Sequence, residues 1–170
     1  LRSGIRRSLS GPGFKPAVSG LLPYLVAAAS DGEEIVRFSA ITGLANTGDP
    51  AAVAELRNRL EDTSPVIRFH AACFLTEYQD ASGLPELQAF LRRSLESWPE
   101  VDHSRVEMLL ASFERLAGKS LGDIPDSMSG DVRLADGGFI PARTLRYREL
   151  LLAWASWWNS HPAAASERAP

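Results

Sequence analysis

At 170 residues the chain is long enough for one domain with a continuous core and too short for two of ordinary size. An apolar share of 45% beside 23% charged residues excludes a disordered chain, and no apolar run approaches the about twenty residues of a membrane-spanning helix. The net charge of −3 hides an acidic middle: residues 31–141 carry nineteen acidic against ten basic side chains, which disfavours a groove for a phosphate backbone.

Residues 1–30 hold four basic side chains and no acidic one. Within them, 1–17 read as a basic tail or as the end of a truncated repeat. The chain starts with Leu rather than Met, which points to a fragment or a processed form. The positively charged start is not followed by an unbroken apolar stretch, so it does not read as a secretory signal. The single cysteine, Cys73, cannot close an internal disulfide. A soluble, cytoplasmic protein is the expectation.

Residues 18–99 carry the strongest pattern. Sliding the sequence by 31 residues lays 35–60 on 66–91 with identities at Arg37/Arg68, Phe38/Phe69, Ala40/Ala71, Leu44/Leu75, Asp49/Asp80, Glu55/Glu86, Leu56/Leu87 and Leu60/Leu91. A further step back sets "LPYL" (22–25) against "VAEL" and "LPEL". Self-similarity at a fixed period predicts a solenoid, in which each unit buries its apolar side against the next. Within a unit the period is helical. Ser64 suits an N-cap and Pro65 the first helical position. Val36, Ala40 and Leu44, with Val66, Ala71 and Leu75, are expected to face the core, and Phe38, Ile41 and Phe69 the other flank. A turn such as "TGDP" then leads to a second helix striped by Val53, Leu56 and Leu60. The acidic residue and proline before the first helix, the Val/Ile-Arg pair and "GDPAAVAELRNRLED" resemble the HEAT-like repeats of bilin lyases and of many bacterial interaction proteins. The resemblance implies an all-α solenoid of helix pairs.

Residues 100–160 read as a capping region. "EVDHSRVEMLLASFERLA" predicts a helix with Val106, Leu109, Leu110, Phe113 and Leu116 buried and Gly118 as its C-cap. "DVRLADGGFIPAR" predicts a small hairpin with a tight two-residue turn. A final helix over about 142–160 aligns Leu150, Trp154, Trp157 and Trp158, large side chains suited to sealing the end of a stack. Residues 161–170 read as a disordered tail.

No complete catalytic or metal constellation emerges, and no cofactor is expected. His70 and Cys73 share a helix face, as a thiolate–imidazole pair would require. Yet they occupy the positions of Ser39 and Thr42 in the other copy, a generic small or polar slot. His70, His103 and His161 lack ligand spacing. Asp123, Asp126, Asp131 and Asp136 lack the calcium-loop pattern and read as a solvated loop. "GKS" at 118–120 lacks the earlier glycine and the preceding strand of a phosphate loop. Arg37 and Arg68, each six residues after an aspartate, read as a bracing ladder. The remaining candidate is a partner-binding row on the second helices: Tyr24, Glu55, Asn58, Arg59, Glu86 and Phe90. The function expected is that of a non-enzymatic adaptor or accessory subunit that contacts another protein, with nucleic acid disfavoured as a partner. The alternative is an enzyme or enzyme accessory on the same scaffold, similar to bilin lyases or DNA glycosylases.

Overall fold

The structure, a computed structural model, describes residues 19–125 and 128–161. The tail expected at 1–17, that expected at 161–170 from residue 162 onward, and Asp126 lie outside them. A 3-10 turn, Ser19–Leu21, leads into α1 (Leu22–Ala28). The helices α2 (Glu34–Thr47), α3 (Ala51–Asn58), α4 (Pro65–Leu75), α5 (Leu84–Glu96) and α6 (His103–Ala117) follow. Two short strands, β1 (Asp131–Arg133) and β2 (Phe139–Pro141), precede the longest helix, α7 (Ala142–Ser160). The fold is a mostly helical stack of repeated helix pairs with one small antiparallel sheet. In the 31-residue register α2/α3 and α4/α5 are complete units. The earlier α1 takes the place of a second helix, and α6 packs beside α4 as a further first helix.

Local chemistry sets the helix starts and stops. The Ser64 hydroxyl accepts from the N–H groups of Val66 (3.2 Å) and Ile67 (3.4 Å), with Pro65 next in the first turn, where its missing donor costs nothing. Asp102 serves α6 likewise, accepting from Ser104 (3.0 Å) and Arg105 (3.3 Å). Gly118 closes α6 in a left-handed conformation (φ 68°), as its sequence position predicts.

The apolar faces meet in two adjoining cores. One joins Ala40, Ile41, Leu44, Leu56, Ile67 and Leu75; the other joins Phe69, Leu87, Leu91, Val106, Leu109, Phe113, Leu151 and Trp154. Helix α4 contributes to both, so it is packed on two sides. The stripe expected on the first helices needs correction at its start. Val36 is exposed and Val66 only half-buried, whereas Ile41 and Ile67 are fully buried. Among the described residues nothing covers the first turn of α2, so its Ile35 and Val36 stay open to solvent while the buried stripe begins at Ala40. At Gly83, before α5, an added Cβ would lie 2.6 Å from the Ala72 Cα. The absence of a side chain there is what lets α5 approach α4.

The hairpin forms with Val132 opposite Ile140, but its turn differs from the two-residue form. Gly137 N–H donates to the Leu134 carbonyl (3.0 Å) and Leu134 N–H to that of Gly138 (2.7 Å). Only Gly137 needs a positive φ (88°). This is the three-residue loop in which a type I turn is followed by a left-handed glycine, the G1-bulge form of hairpin. Beyond it α7 lies against α5 and α6. Trp154 and Trp158 bury their rings 5.5 and 5.6 Å from Phe113. The Tyr147 hydroxyl donates to Glu107, which Arg143 also meets at 3.1 Å, tying the start of α7 to α6. No helix among the described residues is long and apolar enough to cross a membrane.

Candidate functional site

The repeated arginines act inside the stack. Arg37 binds Asp62 through two parallel hydrogen bonds, Nε to Oδ2 (2.9 Å) and Nη2 to Oδ1 (3.0 Å). Its Nη1 also donates to the carbonyls of Asp31 and Gly32, both at 3.0 Å. One guanidinium thus fastens its own leading turn to the turn that opens the next unit. Arg68 repeats the inner half, donating to the Asp62 carbonyl at 2.8 Å, and then reaches Glu86 on α5 at 3.6 Å. A parallel rung runs from Arg57 Nε to Asp80 (2.8 Å). Burial acts to raise the Asp62 carboxyl, but the Arg37 hydrogen bonds, the Ser64 N–H and the arginine charges outweigh it and hold the group below its ordinary value. Asp80 is held low in the same way, against burial, by Ser82 and Arg57.

The predicted partner row divides. Tyr24 is 73% exposed, and Asn58 lies at the surface, where it donates to Glu55 (3.0 Å). Glu55, expected on the outer side, is instead buried, with Arg59 Nε 3.0 Å from it. Arg59 turns inward as well, its Nη1 donating to the Ala29 carbonyl at the end of α1 (2.9 Å). Phe90 packs on Phe69 with ring centroids 4.2 Å apart, and Glu86 is held between Arg68 and Arg93. The reason is geometric. A second helix in a stack has neighbours on both flanks: α4 of the same unit covers Phe90 and Glu86, and the end of the preceding α1 takes up Arg59. Tyr24 escapes because α1 has no described neighbour on its outer side. Leu21, just before α1, and Val26 on it are exposed too, at 53% and 36%.

A second surface had no signature in the repeat. The leading ends of α2, α4 and α6 bound a cleft of about 540 Å³. Phe38, Val66 and Met108 form its apolar part and Glu33, Glu34 and Asp102 its acidic rim. His70 lines it while itself 9% exposed, its ring edge-on to that of Phe38 at 4.8 Å. Its Nδ1 lies 2.8 Å from the Val66 carbonyl; a carbonyl only accepts, so Nδ1 carries the proton. Nε2 is left as a free lone pair among the described residues. Burial, with the Arg105 charge, pushes the imidazole below its ordinary value against the Val66 hydrogen bond and Asp102, which favours the neutral ring. Cleft residues run from 33 to 108, too scattered for a spacing motif. The one sequence hint was His70, a titratable side chain where the other copy has Ser39.

The His70/Cys73 pair lacks the chemistry of a nucleophile. Cys73 is buried, and burial pushes its thiol up to about 12, despite the Ser112 hydroxyl and the Arg115 charge. At neutral pH it is a packed thiol. No group of three or more His, Cys, Asp or Glu side chains among the described residues is placed to hold a metal ion.

A family model for HEAT repeats matches residues 22–109, just over half of the chain. The match runs from α1 through the first half of α6 and so takes in both surfaces. No curated protein and no solved structure matches the chain.

Proposed function

We propose that this chain, which belongs to the HEAT-repeat family, is a non-enzymatic adaptor or accessory subunit that contacts another protein through the outer face of α1. HEAT repeats generally mediate protein–protein interaction. The observation that carries the reading is the exposure of Tyr24 on the outer side of α1, with Leu21 just before the helix and Val26 on it open as well. Exposed apolar surface of this kind either costs solubility or is covered in use. Tyrosine is favoured at such contacts because it covers much area with few rotatable bonds and keeps a polar tip. A non-enzymatic role is supported by the protonated, buried Cys73 and by the commitment of Asp62, Asp80 and Asp102 to turns, caps and ion pairs. The acidic middle supports a protein over a nucleic acid as partner.

Photocrosslinking tests the reading. Tyr24 is replaced by p-benzoylphenylalanine and native extract is irradiated, with Leu152 on α7, exposed at 47%, as the control position. The expected result is a discrete adduct from position 24, absent from 152 and lost when Leu21→Glu and Val26→Glu are added. Equal yields at both positions would remove α1 as the contact surface. A crosslink only to a second copy of the chain would replace the adaptor reading with self-association.

A further inference from the structure

The cleft at the leading ends of α2, α4 and α6 has features that packing alone does not require. Its floor presents an acceptor, His70 Nε2, on a side chain more than nine-tenths buried, and no described residue donates to it. Beside it stands the Phe38 ring. At the rim, Glu33 and Glu34 form no ion pair with any described residue, although both are exposed and adjacent. The one cation on the rim, Arg105, is engaged by Asp102 at 3.3 Å.

Helix starts commonly attract anions, because their free N–H groups and dipole are positive. Here that charge is already answered by carboxylates: Glu33 stands at the N-cap of α2, Glu34 in its first turn, and Asp102 caps α6. A further anion would meet three carboxylates. A cation with N–H donors finds charge at the rim, an acceptor at the floor and an aromatic wall. A guanidinium satisfies all three at once, since it is planar, stacks on rings and donates in several directions. Besides the carboxylates contributed by α2 and α6, the lining is apolar: Ile35, Val66 and Met108. A lone cation fills part of such a cleft; a stretch of chain with apolar neighbours fills more of it.

We propose that this cleft binds a basic peptide segment of a partner protein, one arginine donating to His70 Nε2 against Phe38 while flanking apolar side chains cover Ile35, Val66 and Met108. The proposal rests on the protein-binding reading above but concerns a different surface. The peptide titration below and the crosslink at position 24 can therefore fail separately.

The probes are the capped peptide Leu-Arg-Ala-Leu, its counterpart with Glu in place of Arg, and butylguanidinium. They are titrated into the full chain while the histidine ring resonances are followed by NMR, with His70→Phe supplying the assignment. The arginine peptide is expected to shift the His70 signal saturably and leave His161 unmoved. The glutamate peptide should leave both unmoved, and butylguanidinium should bind about tenfold more weakly, for want of the apolar flanks. Glu33→Gln combined with Glu34→Gln, both exposed and without capping bonds, should weaken the arginine peptide by about fivefold. Added salt should narrow that difference. The proposal is overturned by a silent His70, by an equal response to the acidic peptide, by undiminished affinity in the double variant, or by butylguanidinium binding as tightly as the peptide.

Discussion

At one end of the stack α7 lays Trp154, Trp158 and Leu151 over α5 and α6 until each is at most 5% exposed; at the other, α1 leaves Tyr24 73% open. Both described ends share one feature, that no further described unit covers them. The α7 end has a nineteen-residue helix and the ties among Glu107, Tyr147 and Arg143. The α1 end has seven residues, none fully buried. The contrast separates two uses of large apolar side chains. In α7 they contribute to stability, and on α1 they stay open, where the proposed partner would cover them.

Substitutions sharpen that contrast, and the largest effect belongs to the sealed end. Trp154→Ala should cost about 3–5 kcal/mol, read as a lowered midpoint in urea unfolding, because a fully buried indole leaves a cavity the helices cannot close. Asp62→Ala, midway, should cost about 2 kcal/mol, since it strands the Arg37 guanidinium and removes the acceptor of the Ser64 N–H. An end-only view of stability would be broken if this change proved neutral.

The pH dependence of stability follows from Asp62 and Asp80, both held below the ordinary carboxylate value of 3.8. Their contribution is complete above that value and is lost as pH falls through their lower folded values. Asp62→Asn should therefore flatten the decline of the unfolding midpoint below about pH 4.

Smaller effects are expected from two further changes. The Trp158 indole N–H is buried without a described partner, so Trp158→Phe removes an unmet donor along with some area and should stay within about 1 kcal/mol. Tyr24→Ser should alter stability by no more than about 0.5 kcal/mol. A large loss there would mean that α1 is a structural cap like α7, and the contrast would collapse.

The ladder, the caps at Ser64 and Gly118 and the tryptophan stripe were all legible in the sequence, because each depends on spacing within one helix or on a repeat of 31 positions. What sequence could not supply was the neighbour. A helical wheel places Glu55, Arg59 and Phe90 opposite a buried stripe, but only the packed helices reveal that the end of α1 and Phe69 already occupy that side. The cleft was invisible for the same reason: Phe38, His70 and Met108 share no period, and meet only because three first helices lie side by side.

Asp62 serves two masters. One carboxylate accepts from Arg37 of the first complete unit and from the Ser64 N–H that opens α4 of the second. The turn that starts one unit is thus finished only when the other has docked, so neither can come apart without disturbing a bond of its neighbour. Pulled from its ends in a force measurement, the α2–α5 segment should give way in a single step rather than unit by unit, and Asp62→Asn should divide that step into two.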